Sequence, residues 1–224
     1  MPRTLLLILL LISPVLRAGD LELLVSPPQL ALLLGELKNN QHPRFAVVDY
    51  GRASTLPRFY LFDSRSHALL GSFRVAHGKG SDSDHDSYAD RFSNDFGSRA
   101  TSLGLFRTSQ VFDSEEPGHG RSMRLIGLSP SNSNAEARAI VIHANAYMED
   151  AFILEHGVPG RSYGCLVLAS TDRDQVIAQL KGGALIFAIS QKRQAVANNE
   201  RKPCCPSHAT ASPSHCHRSV AFSI

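Results

Sequence analysis

A chain of 224 residues, 43% apolar and 19% charged, is long enough to bury one sizeable core and has the balance of a globular protein rather than a disordered or fibrous one. Its net charge of +3 comes from arginines scattered among acidic residues. No Lys/Arg run exists on which a nucleic-acid interface would rest, so none is expected.

Arg3 precedes the unbroken apolar run Leu5–Ile12, and small or turn-forming residues follow through Ala18 and Gly19. A charged start, a short apolar centre and a small-residue end are the pattern of a secretory signal, so residues 1–19 are predicted to direct export to the periplasm or cell envelope. The run is shorter than the ~20 apolar residues that a bilayer span needs. Leu16 sits poorly three positions before a cut near Gly19, which leaves an uncleaved anchor as the expected route to any membrane contact.

Residues 20–44 read as a helical segment. Ser26-Pro27-Pro28 has a hydroxyl at the N-cap and proline in the first turn, Leu30, Leu33, Leu34 and Leu37 recur at helical spacing, and Asn39-Asn40 end the pattern. From Phe45 the period shortens. Phe45–Tyr50, Arg58–Asp63 and Ala68–Ala76 are β-type runs separated by turn residues, a meander in outline. His77-Gly78-Lys79-Gly80 then opens a polar stretch to Thr101, read as a solvated lid. Its Asp82, Asp84 and Asp86 start like a calcium loop, but Ser87 and Ser93 stand where such a loop needs glycine and glutamate.

Leu103–Thr108, Arg124–Leu128 and Ala139–His143 are further predicted strands. Glu149–His156 reads as a helix closed by Gly157, and Thr171 as the cap of a helix with Val176, Ile177 and Leu180 on its apolar face. Gly182-Gly183 stop that helix before a last strand, Ala184–Ile189. Residues 45–190 are thus one predicted domain, and 191–224 a disordered tail rich in Cys, His, Pro and Ser. Cys204, Cys205, His208, His215, Cys216 and His217 lack the paired spacing of a structural zinc site. No metal and no cofactor are expected.

The one cysteine inside the predicted domain is Cys165, which opens the apolar run Cys165–Leu168, and His143 closes another such run upstream. A thiol with an unperturbed pKa near ~8.5 is mostly protonated at neutral pH, and a neighbouring imidazole that takes its proton makes it a nucleophile. Adjacent strands with one helix between them would bring the two side chains together. Gly164 removes a side chain beside the sulfur, so a carbonyl can approach it. Each residue read singly is as well explained as a small core cysteine and a satisfied polar strand end.

The order His143 … Ser162-Tyr163-Gly164-Cys165 resembles the catalytic motif of the murein L,D-transpeptidase (YkuD-like) family, a histidine followed by Ser/Thr-x-Gly-Cys. The likeness runs from about Phe45 to Ala188 through Val75-Ala76-His77-Gly78-Lys79, Arg91-Phe92-Ser93-Asn94, Ser102-Leu103-Gly104, Arg138-Ala139-Ile140-Val141-Ile142-His143 and Gly160-Arg161-Ser162. It implies a mainly β, sandwich- or barrel-like catalytic domain with a few short helices, acting on peptidoglycan stem peptides. It implies further that Cys165 attacks an L,D-peptide bond to form a thioester and that His143 moves the proton. The carbonyl of Ser162 or a close neighbour would orient the imidazole, and the N–H groups of Gly164 and Cys165 would hold the oxyanion. Resolution of the thioester by an amine makes a cross-link, and by water a carboxypeptidase; a silent wall-binding protein is the alternative without turnover. Arg161, His77 and Tyr163 are expected to meet substrate. Ala144 and Leu166 depart from the family's usual glycine and proline, and Tyr163 from its commoner histidine, changes that touch no reacting group.

Overall fold

The computed structural model describes residues 20–191; the predicted signal and nearly all of the predicted tail lie outside them. Two helices, α1 (Asp20–Leu24) and α2 (Pro27–Asn39), precede the strands β1 (Arg44–Asp49), β2 (Phe59–Asp63), β3 (Leu69–Phe73), β4 (Gly104–Asp113), β5 (Arg121–Gly127) and β6 (Val141–Ala144). A short helix α3 (Asp150–His156), strand β7 (Leu166–Leu168), helix α4 (Ser170–Leu180) and strand β8 (Leu185–Ile189) complete the order. The expected mainly β architecture holds. All eight strands form one sheet in the order β3-β2-β1-β8-β4-β5-β6-β7.

The two middle strands explain why their sequences are apolar throughout rather than alternating. Ala46 and Val48 of β1 and Ile186 and Ala188 of β8 face one core, which also takes Val176, Ile177 and Leu180 of α4. Phe45 and Val47, with Leu185, Phe187 and Ile189, face the opposite side, where Leu21 of α1 and Leu33 of α2 cover them. A strand buried on both faces needs apolar residues at every position. Leu21 and Leu33 are fully buried, each worth about 1.5–3 kcal/mol of transfer free energy. The N-terminal helices are therefore part of the domain's second core.

The sheet curls until its ends meet. Beyond β3 the chain runs beside the approach to β7, with Ala76 N–H donating to Val167 O at 2.8 Å, Ser162 N–H to His77 O at 2.9 Å and Lys79 N–H to Ser162 O at 2.7 Å. These bonds cover part of the β7 edge.

Several expectations are corrected. Ser26 does precede Pro27, but its hydroxyl donates to Gln29 Oε1 rather than capping a backbone N–H. Helix α4 begins at Ser170, so Thr171 lies inside it; the carboxylate that receives the Ser170 N–H is Glu149 Oε1, 2.8 Å away. The third predicted strand stops at Phe73, and Cys165 precedes β7 instead of opening it. The polar stretch 77–101 is no solvated lid. Ser81, Asp82, Ser87, Ala89, Ala100 and Thr101 within it are buried, and the segment is tied down by bonds such as Thr101 N–H to Ser81 Oγ and Gly78 N–H to Thr101 Oγ1.

Candidate active site

Strands β6 and β7 are parallel neighbours, with Ile142 opposite Leu166 and His143 opposite Val167. Side chains two residues apart on a strand share a face, so Cys165, two before Val167, points to the same side as His143. Inter-strand spacing and the rise over two residues put their Cα atoms about 8 Å apart. The connection between them, a single 3-10 turn at Ala146–Met148 followed by α3, is the crossover that a parallel pair requires. On this face Cys165 and Tyr147 pack against a small cluster of Ala76, Met148, Val167 and Ala169.

His143 is 3% exposed. Its Nδ1 lies 2.8 Å from the carbonyl of Ala144; a carbonyl only accepts, so Nδ1 carries the hydrogen and Nε2 the lone pair. Burial lowers its pKa to about 4, opposed by the Ala144 carbonyl and assisted by His119 and Arg173. At neutral pH it is an uncharged base. Cys165 is partly exposed, with Sγ 3.7 Å from Ala139 O. Burial raises its pKa, while a backbone N–H from Val141 and the charge of Arg138 pull the other way. The resting sulfur is a thiol.

The turn before the cysteine is held by Ser162. Its hydroxyl donates to Cys165 O at 2.8 Å and accepts from Gly164 N–H at 3.0 Å. Gly164 has φ of 116°, and a Cβ there would stand 2.8 Å from Ala100 O and 3.0 Å from Ile140 Cδ1. Only glycine fits this turn. Two expectations change here. The Ser162 carbonyl accepts from Lys79 N–H, and Ala144 O orients the imidazole in its place. The Gly164 N–H, expected to face an oxyanion, is engaged by the Ser162 hydroxyl instead.

Residues 31–189 match the model of the L,D-transpeptidase catalytic domain, more than half of the chain. The chain belongs to the L,D-transpeptidase catalytic domain family. No curated protein matches the sequence. Among solved structures it is similar to Bd1075 of Bdellovibrio bacteriovorus, at 14% identity over 65% of this chain and 47% of that one, with a TM-score of 0.44. It is also similar to an L,D-transpeptidase from Xylanimonas cellulosilytica, at 11% identity over 73% and 70% with a TM-score of 0.40. A third likeness is to an L,D-transpeptidase from Mycobacterium smegmatis, at 13% identity over 65% and 58% with a TM-score of 0.38. The chain thus spans about half the length of the first of these proteins.

In this family member His143, Cys165, Ser162, Arg161 and Tyr163 line one cleft of about 410 Å³, together with Lys79, His119, Asn145 and Tyr147. Arg161 donates to the carbonyl of Asp82 and lies 3.9 Å from its carboxylate. Tyr163 is 63% exposed, with the Arg99 guanidinium 4.7 Å over its ring. His77 is not in the cleft wall. It is 1% exposed, accepting from Arg58 Nη2 at Nδ1 and donating from Nε2 to Asp82 Oδ2 at 2.9 Å. Burial, with Arg58 nearby, lowers its pKa to about 4, so it is a neutral link between a buried cation and a buried anion. Asp82 also accepts from Asp86 N–H, and one carboxylate oxygen each of Asp82, Asp84 and Asp86 lie within 4.8 Å of one another.

Lys79, His119, Asn145 and Tyr147 were absent from the sequence expectation. Lys79 stood in the matching segment His77-Gly78-Lys79 but carried no signal of its own. His119 stands between two glycines, Gly118 and Gly120, the one local hint that its ring is delivered by a tight turn. Asn145 and Tyr147 follow His143 closely; Tyr147 packs where Gly160 leaves room, since a Cβ on Gly160 would be 2.5 Å from the ring.

Proposed function

We propose that the protein is an exported cysteine L,D-transpeptidase that cross-links peptidoglycan stem peptides through a thioester. One observation carries the reading: in a chain of this catalytic-domain family, the His143 imidazole on β6 and the Cys165 thiol just before the parallel strand β7 line the same cleft. His143 Nε2 takes the thiol proton as Cys165 Sγ attacks the carbonyl carbon of an L,D-peptide bond. The carbonyl oxygen becomes an oxyanion facing the Cys165 N–H. As the C–N bond breaks, imidazolium returns the proton to the leaving amine of the terminal D-residue, and the acyl group remains as a thioester. The amine of a second stem then attacks; His143 removes its proton and passes it to the departing sulfur, and an amide cross-link results.

The lining supports an acidic donor. Lys79 and Arg161 are the lysine and arginine side chains of the described wall, and no carboxylate is among its residues. Arg161 is the carboxylate-binding residue in this reading, with Lys79 beside it and Tyr163 as an exposed platform at the rim. The charged N-terminus and apolar run before residue 20 support export.

The test is mass spectrometry of products from purified protein and disaccharide-tetrapeptide. A cross-linked dimer is the expected product, and a tripeptide monomer alone would make the protein a carboxypeptidase by the same thioester. Cys165→Ala should abolish either product and His143→Ala should depress it by a factor on the order of 10²–10⁴. Full activity in Cys165→Ala would overturn the nucleophile assignment.

A further inference from the structure

Against the proposed base stands a second imidazole that the proton transfers do not use. His119 lies in the β4–β5 hairpin, its ring centroid 3.6 Å from that of His143 and the planes inclined at 30°. Gly118 at φ 81° and Gly120 at φ 57° flank it, so the chain bends sharply on both sides of the ring. The turn is fastened to two other elements. The His119 carbonyl accepts from Ala144 N–H at 3.3 Å, beside His143 itself, and from Arg173 Nη1 of α4 at 2.7 Å. Arg173 is 8% exposed, bonds Arg121 O as well, and lies 3.3 Å from where a Cβ on Gly120 would be. A buried arginine anchored in a helix therefore holds the hairpin where its ring meets His143.

An imidazole held by one hydrogen bond to the next carbonyl retains a broad terminal torsion, and a cleft of about 410 Å³ leaves room for it to swing. A flat ring at van der Waals separation stops that motion. We infer that His119 is a positioning residue whose tilted ring packs against that of His143, holding Nδ1 on the Ala144 carbonyl and leaving Nε2 toward the cleft while keeping water from the ring. The inference rests on the reading of His143 as the base.

It has an electrostatic consequence. The groups that act on His143 are His119 from the hairpin, Arg173 from α4 and the Ala144 carbonyl of its own strand, and Glu116 acts in turn on His119. Burial is the main cause of the low His143 pKa, and His119 lowers it further. Taking the ring away admits water and removes that contribution, so the base should move up toward the ordinary value of about 6.5.

The experiment compares His119→Ala and His119→Phe in the full chain by the pH profile of muropeptide turnover and by NMR titration of labelled His143, which needs no turnover. His119→Ala should lower kcat by roughly 10–100-fold with a smaller change in KM, and raise both the acid limb and the His143 titration by about one pH unit. His119→Phe, which restores a flat ring without nitrogen, should recover most of the lost rate and the low titration. If the alanine variant does not fold, His119→Asn removes the ring while keeping a polar side chain and carries the same expectations. An unchanged rate and titration in the ringless variant would overturn the clamp. So would a phenylalanine variant as slow as alanine, which would give the ring nitrogens a chemical part. Persistent turnover in His143→Ala would instead remove the base assignment on which the inference stands, a result read independently of position 119.

Discussion

The bond pair made by the Ser162 hydroxyl gives the clearest test of how the proposed nucleophile is held. Ser162→Ala removes the donor to Cys165 O and the acceptor of Gly164 N–H, at a site only 5% exposed. Each such bond is worth about 0.5–1.5 kcal/mol net, so the turn loses about 2 kcal/mol of its preference for the observed shape. At 1.36 kcal/mol per tenfold, the ratio of turns with Cys165 in place to turns without it should fall by about 30-fold. The main-chain bonds of Ser162 to His77 O and from Lys79 N–H survive, so the protein should still fold. The assay is the rate of acyl-enzyme formation from disaccharide-tetrapeptide, followed by intact-protein mass spectrometry, beside a thermal melt. Ser162→Thr keeps the hydroxyl and should lie nearer to the natural protein. Wild-type acylation in Ser162→Ala, or a loss matched entirely by a smaller folded fraction, would refute the positioning argument.

Gly164→Ala should be more severe, since it forces an L side chain into a positive-φ turn and drives Cβ to 2.8 Å from the Ala100 carbonyl; about 1–3 kcal/mol of backbone strain precedes any clash. A melt and an acylation rate like wild type would show that the turn adapts. Asp82→Ala should destabilise the fold by about 3–5 kcal/mol in urea titration, because His77 Nε2 and Asp86 N–H lose their acceptor and Arg58 its nearby buried anion; a loss below about 1 kcal/mol would mean that the network is not a buried charge pair in effect. Stability should also fall with acid. His77 and His143 are held at about 4 by burial, below the ordinary ~6.5 of the unfolded chain, so the unfolded state binds more protons between those values. Their contribution is whole above pH ~6.5 and is lost as pH falls toward ~4, up to about 3 kcal/mol each. Asp82, whose pKa is lowered by His77 and other partners, adds a loss of the same sign at lower pH. A melting temperature flat from pH 7 to 4.5 would contradict this.

What sequence pattern revealed was whatever depends on neighbours along the chain. The helix start at Pro27, the apolar strands β1 and β8, the left-handed Gly157 after α3 and the motif from Ser162 to Cys165 all have local signatures. The order of those signatures was enough to identify the domain family. Long-range pairing has no such signature. Nothing at Leu185–Ile189 announces that this last strand enters the middle of the sheet, parallel to β1. Nothing in the Asp-rich stretch shows that Asp82 is buried against His77 and not displayed to solvent. The same limit applied to the site. Composition and spacing singled out His143 and Cys165, while the Ala144 carbonyl as the orienting partner, the engagement of Gly164 N–H and the ring of His119 all depend on which segments the closed sheet brings together. The domain family and the candidate site residues were legible from the sequence because chemistry requires particular residue types; their arrangement was decided by tertiary contact, because hydrogen bonds and ring stacking join atoms that the chain order leaves far apart.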